Sequence, residues 1–168
     1  MRSVALLRGI NVGTSPRIGM ADLRELFSSL GATDVQTYLQ SGNVVYSGSL
    51  RVELVETAIA KQFGVSPRVL LLTAEEFRAV AAEIPIRAMA TDPSRGFVYF
   101  MEAVPASVVV PSDISPEVFI VGKLGAYHWS PEGASKSKLK ASFFTTLGPT
   151  STARNLRTVD ALLAMLDA

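Results

Sequence analysis

The sequence contains no cysteine, a single histidine and a single tryptophan. Without cysteine it cannot form disulfide bonds, use a thiol nucleophile or build a cysteine-rich zinc site. One histidine also cannot supply the several imidazole ligands that many transition-metal sites need. These absences exclude most metal and redox enzymes, and they lead us to expect neither a metal nor a cofactor.

Long apolar runs are missing as well. Runs such as residues 69–72 and 97–101 have the length of strands, whereas a membrane-spanning helix needs about 20 residues. The first apolar run, residues 4–7, is interrupted by Arg8 and is too short for the core of a signal peptide. We therefore expect a cytoplasmic protein without a membrane segment, in keeping with its lack of cysteine.

Charged residues make up 18% of the 168 residues, hydrophobic residues make up 48%, and the mean hydropathy is +0.30. Such a chain has enough apolar surface to bury a core, which excludes a disordered protein. The net charge of +1 is unevenly distributed, because residues 1–21 and 133–168 each carry +3 and the stretch between them carries −5. If the two basic ends meet, they form a positive patch that would attract phosphate or carboxylate groups.

The first half of the chain alternates between strand and helix patterns. Apolar residues spaced three and four positions apart predict helices over residues 23–30 and 52–63. Short apolar or alternating runs predict strands over residues 4–7, 35–39, 44–46 and 69–72. This order is that of a ferredoxin-like, or split βαβ, unit, in which helices cover one face of an antiparallel sheet. With a connecting helix over residues 77–84, it predicts an N-terminal domain over residues 1–90.

The second half, predicted to span residues 97–168, repeats this order in a degenerate form. Strands are predicted over residues 97–101, 118–121 and 126–129, and a helix over residues 138–147. The first helix of the repeat is missing, because Pro105 and Pro111 flank three valines that form helices poorly. A last helix follows, with Thr158 as its predicted N-cap. The predicted fold class is α+β, with tandem ferredoxin-like halves, antiparallel sheets covered by helices, and a C-terminal helix.

Two loops of the first half should converge, because its first two strands point to the same end of the sheet. Their candidate ligand-binding residues are Arg8, Gly9, Asn11, Gly13, Gln40, Ser41, Gly42 and Asn43. Glycines allow close backbone approach, the nearby helix start favours negative charge, and Arg8 can bind a phosphate or carboxylate through two hydrogen bonds. One interpretation is a site for an anionic small molecule. The other is that glycine and asparagine only supply the backbone angles that turns need.

The second half offers a secondary set of candidate ligand-binding residues. Lys138 lies in a lysine-rich stretch at a predicted helix start, where an anion would offset the unfavourable positive charge. Arg154 and Asn155 place a forked donor and an amide before the last helix. The alternative for all three is an ordinary surface role. His128 has no spacing that indicates a base beside a nucleophile and an acid, so we expect a structural or surface role and name no catalytic residue.

Two long motifs stand out, ALLRGINVG over residues 5–13 and TYLQSGNVVY over residues 37–46, with shorter ones over residues 137–139 and 152–155. In this order they resemble the bacterial "domain of unknown function 1697" family over nearly the whole chain. The resemblance implies two ferredoxin-like α+β halves and implies no activity. The family pattern has a tryptophan and a lysine where this chain has Leu156 and Ala161. The long motifs coincide with the converging loops, which strengthens the hypothesis of a site around Arg8.

The leading hypothesis is a protein that binds an anionic small molecule, a nucleotide or a phosphorylated metabolite, at the loop of residues 8–13 and the hairpin of residues 40–43. The alternative is a protein-interaction module or oligomeric scaffold without catalysis, consistent with few charges and a positive mean hydropathy. No catalytic triad, metal site or cofactor motif is recognisable, so the sequence leaves open whether the protein is an enzyme. RNA binding ranks lowest, because no basic strand rich in aromatic residues is present.

Overall fold

The chain forms eight strands and five α-helices in the computed structural model, which describes residues 1–168. In chain order they are β1 (Arg2–Arg8), α1 (Met20–Ser29), β2 (Thr33–Tyr38), β3 (Asn43–Ser47), α2 (Val52–Phe63), β4 (Arg68–Thr73), α3 (Ala74–Glu83), β5 (Gly96–Phe100), β6 (Val118–Val121), β7 (Ala126–Trp129), α4 (Ala141–Thr145), β8 (Thr152–Asn155) and α5 (Leu156–Asp167). None of the helices combines the length and the apolar character needed to cross a membrane.

The strands form two four-stranded sheets with the same internal order. One sheet is β2-β3-β1-β4 and the other is β6-β7-β5-β8. Every neighbouring pair of strands in both sheets is antiparallel. This is the strand order of two tandem split βαβ units, so the predicted fold class is confirmed.

The chain divides into two units, the first made of Met1–Arg78 with Ala161–Ala168 and the second of Ala79–Asp160. The dividing points lie within α3 and α5. The C-terminal segment is held in the first unit by Arg2 Nη2, which donates to Met165 O at 2.9 Å, and by the ion pair of Arg78 with Asp167 at 2.7 Å. The domain limits expected from the sequence, residues 1–90 and 97–168, stay a prediction.

In the first unit, α1 and α2 cover one face of the sheet. Ala5 and Leu7 of β1 pack in one core with Phe27 of α1 and Ile59 of α2. The two helices bury the apolar stripes that the sequence shows. At the end of α2, Gly64 adopts a φ of 71°, the left-handed conformation that glycine adopts at little cost. The helices and the hairpin predicted for this half are confirmed.

In the second unit, the corresponding face of the sheet is covered less completely. The crossover of residues 101–117 between β5 and β6 contains no helix, and α4 has five residues where α2 has twelve. Because an α-helix rises about 1.5 Å per residue, α4 covers about 8 Å of sheet against about 18 Å for α2. Phe119, Leu139 and Phe143 form a core on this face, whereas Phe97 and Tyr99 are only partly buried.

The helix predicted over residues 138–147 is shorter in the structure, where α4 covers only Ala141–Thr145. Its predicted first turn is held in an extended conformation by a carboxylate from another part of the chain. Ser137 Oγ donates to Glu117 Oε1 at 2.6 Å, and Lys138 N–H donates to Glu117 Oε2 at 2.7 Å. These bonds take the place of helical ones, so the helix begins only after Lys140.

Two further details differ from the prediction. The last helix begins at Leu156, and Asn155 Oδ1 accepts a hydrogen bond from Thr158 N–H at 2.9 Å. Asn155 is therefore the N-cap, and the prediction that Thr158 caps the helix is wrong. Leu39, expected within a strand, follows β2 as an exposed residue with a φ of 58°.

Candidate functional site

The two loops that the topology predicts to converge lie together in the first unit. Leu7 N–H donates to Gly42 O at 2.8 Å, and Asn11 Nδ2 donates to Gln40 O at 2.9 Å. The Asn11 amide also donates to Ile18 O at 3.1 Å and accepts from Ile18 N–H at 2.7 Å. Asn11 thereby ties the loop after β1 both to the hairpin and to the residues just before α1.

Three of the predicted ligand-binding residues have a structural role in this cluster. The side-chain amide of Asn11 is fully engaged in its hydrogen bonds to Gln40 and Ile18. Asn43 is fully buried and donates through Nδ2 to Tyr38 O at 2.7 Å and to Ser41 Oγ at 3.1 Å. Gly42 has a φ of 97°, and a Cβ at this position would lie 2.7 Å from Leu7 Cβ. At these three positions the structure supports the turn interpretation.

The other five predicted residues of this cluster are exposed, namely Arg8, Gly9, Gly13, Gln40 and Ser41. Arg8 lies directly opposite Arg68 in the register of β1 and β4, and Arg68 is exposed too. Like charges facing each other across two strands repel, and an anion bound between them would remove that cost. At this end of the sheet, Arg8 and Arg68 are therefore the residues best suited to bind an anion.

The start of α1 contributes less to anion binding than its helix dipole suggests. Asp22 lies in the first turn of α1, and its Oδ2 would be only 3.1 Å from a Cβ placed on Gly19, the residue before the helix. A carboxylate at this place already supplies the negative charge that a helix N-terminus favours. An added anion would meet like charge here.

The secondary set of candidates, Lys138, Arg154 and Asn155, lies in the second unit. Lys138 Nζ donates to Ser115 O at 2.6 Å, and Asn155 caps α5. Arg154 Nη1 donates to Ala153 O at 2.8 Å, and burial lowers the pKa of its guanidinium to about 10. Because Arg154 and Asn155 are consecutive in β8, their side chains project from opposite faces of the sheet. They do not form one binding surface.

A buried acid and imidazole pair lies in the second unit, outside the residues predicted to bind a ligand. His128 Nε2 of β7 is 2.7 Å from Oε1 of Glu117, the residue before β6, and the side chains are 2% and 5% exposed. Ser137 and Lys138 also donate to the Glu117 carboxylate. A buried carboxylate needs several such donors to offset the loss of water.

The donors around Glu117 decide where the protons of this pair reside. Burial alone would raise the pKa of Glu117, but hydrogen bonds from Ser137, Lys138 and His128 outweigh it and hold the pKa below 4.5. Burial also lowers the pKa of His128 below 6.5, although the nearby Glu117 acts in the opposite direction. At neutral pH Glu117 is ionised and His128 is neutral, so Nε2 carries the ring proton and donates it to Glu117.

His128 lines a cleft on the incompletely covered face of the second sheet. The cleft has a volume of about 240 Å³ and is lined by Phe97, Tyr99, His128, Ala134, Ser137, Phe144 and Ala153. The Tyr99 and Phe144 rings stack with their centroids 5.6 Å apart and their planes at 17°. Phe97 lies 6.1 Å from the His128 ring. The site combines aromatic walls with one imidazole, and no group of three or more acidic or histidine side chains is placed to hold a metal.

The sequence contains a signal for Glu117 but none for Ser137. Phe119 faces His128 in the hairpin register, and Glu117, two residues earlier, projects to the same face because strand side chains alternate. Extending the predicted hairpin by one residue pair would thus have brought the acid to the imidazole. Ser137 belongs to an irregular segment whose position follows from tertiary contacts alone.

Residues 1–118 match the family described as "Protein of unknown function (DUF1697)". The chain belongs to the DUF1697 family. In this DUF1697 chain the matched segment contains both converging loops, β5 and Glu117, whereas His128 and the cleft residues after it lie beyond residue 118.

The DUF1697 chain is also similar to a solved structure, that of the conserved bacterial protein SP0830 from Streptococcus pneumoniae. The two chains are 28% identical, the similarity covers 98% of each, and the TM-score is 0.70. The likeness therefore extends over both units. No curated protein matches the chain. Because the family is one of unknown function, the chemistry of the site has to indicate what this member does.

Proposed function

We propose that this protein binds a flat aromatic compound of one or two fused rings in the cleft of the second unit. The observation that carries the proposal is the cleft itself, about 240 Å³ in volume and lined by Phe97, Tyr99 and Phe144. An apolar cavity of about 150 Å³ holds benzene, whereas drug-sized ligands occupy roughly 300–1,000 Å³. The cleft volume lies between these limits and suits a small ring system.

The incomplete cover of the second sheet explains why this cleft favours a ligand. Phe97 and Tyr99 of β5 are only partly buried because α4 is too short to cover them, and Phe144 of α4 is only partly buried as well. Covering apolar surface contributes about 25 cal/mol per Å², and aromatic rings gain further from stacked or edge-to-face contacts. A flat ligand would provide the contacts that a longer helix would otherwise make.

The polar groups beside the cleft favour binding over catalysis. The Ser137 hydroxyl donates to Glu117 Oε1 at 2.6 Å and accepts from Leu139 N–H at 3.1 Å. A nucleophilic serine needs its hydroxyl hydrogen-bonded to a base, and here that proton is directed at a carboxylate that already has other donors. We therefore propose a binding protein without a covalent step.

Filling the cleft tests this proposal. Ala153 of β8 lines the cleft, and Ala153→Phe would place a ring where the ligand is expected. Indole, titrated into the wild-type protein and followed by two-dimensional NMR, should shift the signals of β5, β7 and α4, and Ala153→Phe should abolish these shifts. Ala164→Phe is the matched control, because Ala164 is exposed on α5 and lies outside the cleft. Undiminished indole binding by Ala153→Phe would contradict the proposal.

A second candidate function is the binding of an anionic small molecule, such as a nucleotide or a phosphorylated metabolite, in the first unit. The specific support is the facing pair Arg8 and Arg68 beside the converged loops. A ligand that binds only the folded state raises its melting temperature. ATP at low salt should therefore raise the melting temperature of wild type but not of Arg8→Ala, with the exposed Arg157→Ala as control. An equal ATP shift in Arg8→Ala would contradict this function.

We also place the protein in the bacterial cytoplasm as part of the proposal. The support is its lack of cysteine, which fits a reducing compartment, and its likeness to a bacterial protein. Fractionation of the cells that produce it should recover the chain with cytosolic markers, and recovery with periplasmic or membrane markers would contradict this location.

A further inference from the structure

Ser137 and His128 both line the cleft. The Ser137 hydroxyl is bonded to Glu117 and Leu139. His128, in contrast, keeps one ring nitrogen for a ligand. Its Nε2 is bonded to Glu117 at 2.7 Å, and its Nδ1 makes no hydrogen bond within the protein. Arg2 Nε is the one fully shielded side-chain nitrogen or oxygen without a partner. Nδ1 is therefore not fully shielded, although the side chain is only 2% exposed, and His128 is one of the residues that line the cleft.

The surrounding hydrogen bonds determine that Nδ1 is an acceptor. Ser137 Oγ accepts from Leu139 N–H, so its own proton is directed at Glu117 Oε1. Lys138 N–H donates to the other carboxylate oxygen. A carboxylate surrounded by donors is ionised and can only accept, so His128 Nε2 must be the donor of that pair. In a neutral imidazole the remaining nitrogen, Nδ1, then presents a lone pair.

We infer that the ligand of the cleft is an aromatic compound with a ring N–H or O–H group, which it donates to His128 Nδ1. This inference rests on the proposed function of the cleft. An acceptor left without a partner beneath a bound apolar ligand costs free energy. A ligand whose polar atom beside Nδ1 can only accept would place its lone pair against the lone pair of Nδ1, and the two would repel each other. Carboxylates and phosphates are disfavoured for the same reason, so this ligand class differs from that of the arginine pair.

Two compounds of nearly equal shape separate this inference from mere apolar binding. Indole carries a ring N–H, and benzofuran carries an oxygen at the same place. Indole should bind the wild-type protein on the order of tenfold or more tightly than benzofuran, because only indole satisfies Nδ1. His128→Phe keeps a ring of similar size but removes Nδ1, so it should reduce the indole affinity to that of benzofuran.

The single histidine of the chain allows the contact to be observed directly. In protein labelled with ¹⁵N in histidine, the only imidazole signals come from His128. The spectrum at neutral pH should show a protonated Nε2 and an unprotonated Nδ1. Indole should move the Nδ1 resonance in the direction of hydrogen-bond acceptance, and benzofuran should not. This measurement needs no variant, so it decides the question even if His128→Phe does not fold.

The outcomes separate the ligand class from the cleft itself. Equal affinities for indole and benzofuran, or a protonated Nδ1 in the free protein, would overturn the inference while the proposed cleft function stands. If neither compound binds at millimolar concentration, or if Ala153→Phe binds both as wild type does, the proposed cleft function fails and the inference fails with it. Tighter binding of indole together with a shifted Nδ1 resonance supports both.

Discussion

At the scale of single residues, His128 and Glu117 make the stability of the second unit depend on pH. The folded protein lowers the pKa of His128 below 6.5 through burial, so the unfolded chain binds this proton first as the pH falls. Acid then favours unfolding. The lowered pKa of Glu117 has the same sign below 4.5. The free energy of unfolding should therefore decrease in two steps, one below about pH 6.5 and one below about pH 4.5.

Urea unfolding measured across this pH range checks the prediction, with Trp129 fluorescence reporting on the second unit. His128→Phe should lack the first step, because it removes the group that titrates there. The same decrease near pH 6 in wild type and in His128→Phe would assign the effect to other groups.

Gly42 is the residue of the converging loops at which a side chain should cost most. It combines a φ of 97° with a would-be Cβ 2.7 Å from Leu7 and 2.9 Å from Ile10. Gly42→Ala should destabilise the protein by about 3 kcal/mol, from backbone strain and overpacking together. Gly13→Ala is the control, since Gly13 has a φ of 54° with open space around its Cβ position. It should cost about 1 kcal/mol, and equal losses in urea unfolding would refute the packing argument.

At the scale of elements, the start of α5 depends on the Asn155 cap. Asn155→Ala removes the acceptor of Thr158 N–H and should cost about 1 kcal/mol in thermal or urea unfolding. Arg157→Ala, an exposed change in the first turn of the same helix, should cost much less. If Asn155→Ala left stability unchanged, the cap would not be the main role of this side chain.

Elements built from local, periodic sequence could be predicted, and those shaped by distant groups could not. The stripe of Leu23, Leu26 and Phe27 identifies α1 because a helix brings them to one face. The start of α4 depends on Glu117, about twenty positions away, which no local pattern contains. The strand β8 has four residues without an apolar alternation and exists because it pairs with β5.

Of the candidate sites, the converging loops could be predicted from the sequence and the cleft could not. Convergence of the loops after β1 and before β3 follows from topology, and the structure brings Asn11 and Gln40 together as predicted. The cleft arises from something the chain does not have, a full-length helix between β7 and β8, and from rings on β5 and α4 that meet only in the folded unit. A sheet face that no helix covers leaves no motif in the sequence, so sequence motifs do not predict this cleft.

At the scale of the whole molecule, the first unit is assembled from both ends of the chain. Deletion of residues 161–168 would remove the partners of Arg2 and Arg78. We expect amide hydrogen exchange in β1 to speed up in the truncated protein, while Asp167→Asn, which weakens only the exposed ion pair, should change stability by less than about 1 kcal/mol. Unchanged protection of β1 after truncation would mean that the segment is dispensable.

The divided first unit also has a consequence for the order of events during synthesis. Arg2, Val4 and Leu6 share one face of β1, and Arg2 binds Met165, which is made 163 residues later. At about 5–20 residues per second, the ribosome needs several seconds to produce the second unit between these partners. Val4 and Leu6 are fully buried in the finished protein. During those seconds they belong to a first unit that still lacks its C-terminal segment. Chaperones that shield nascent chains would meet this strand before its own C-terminal segment does.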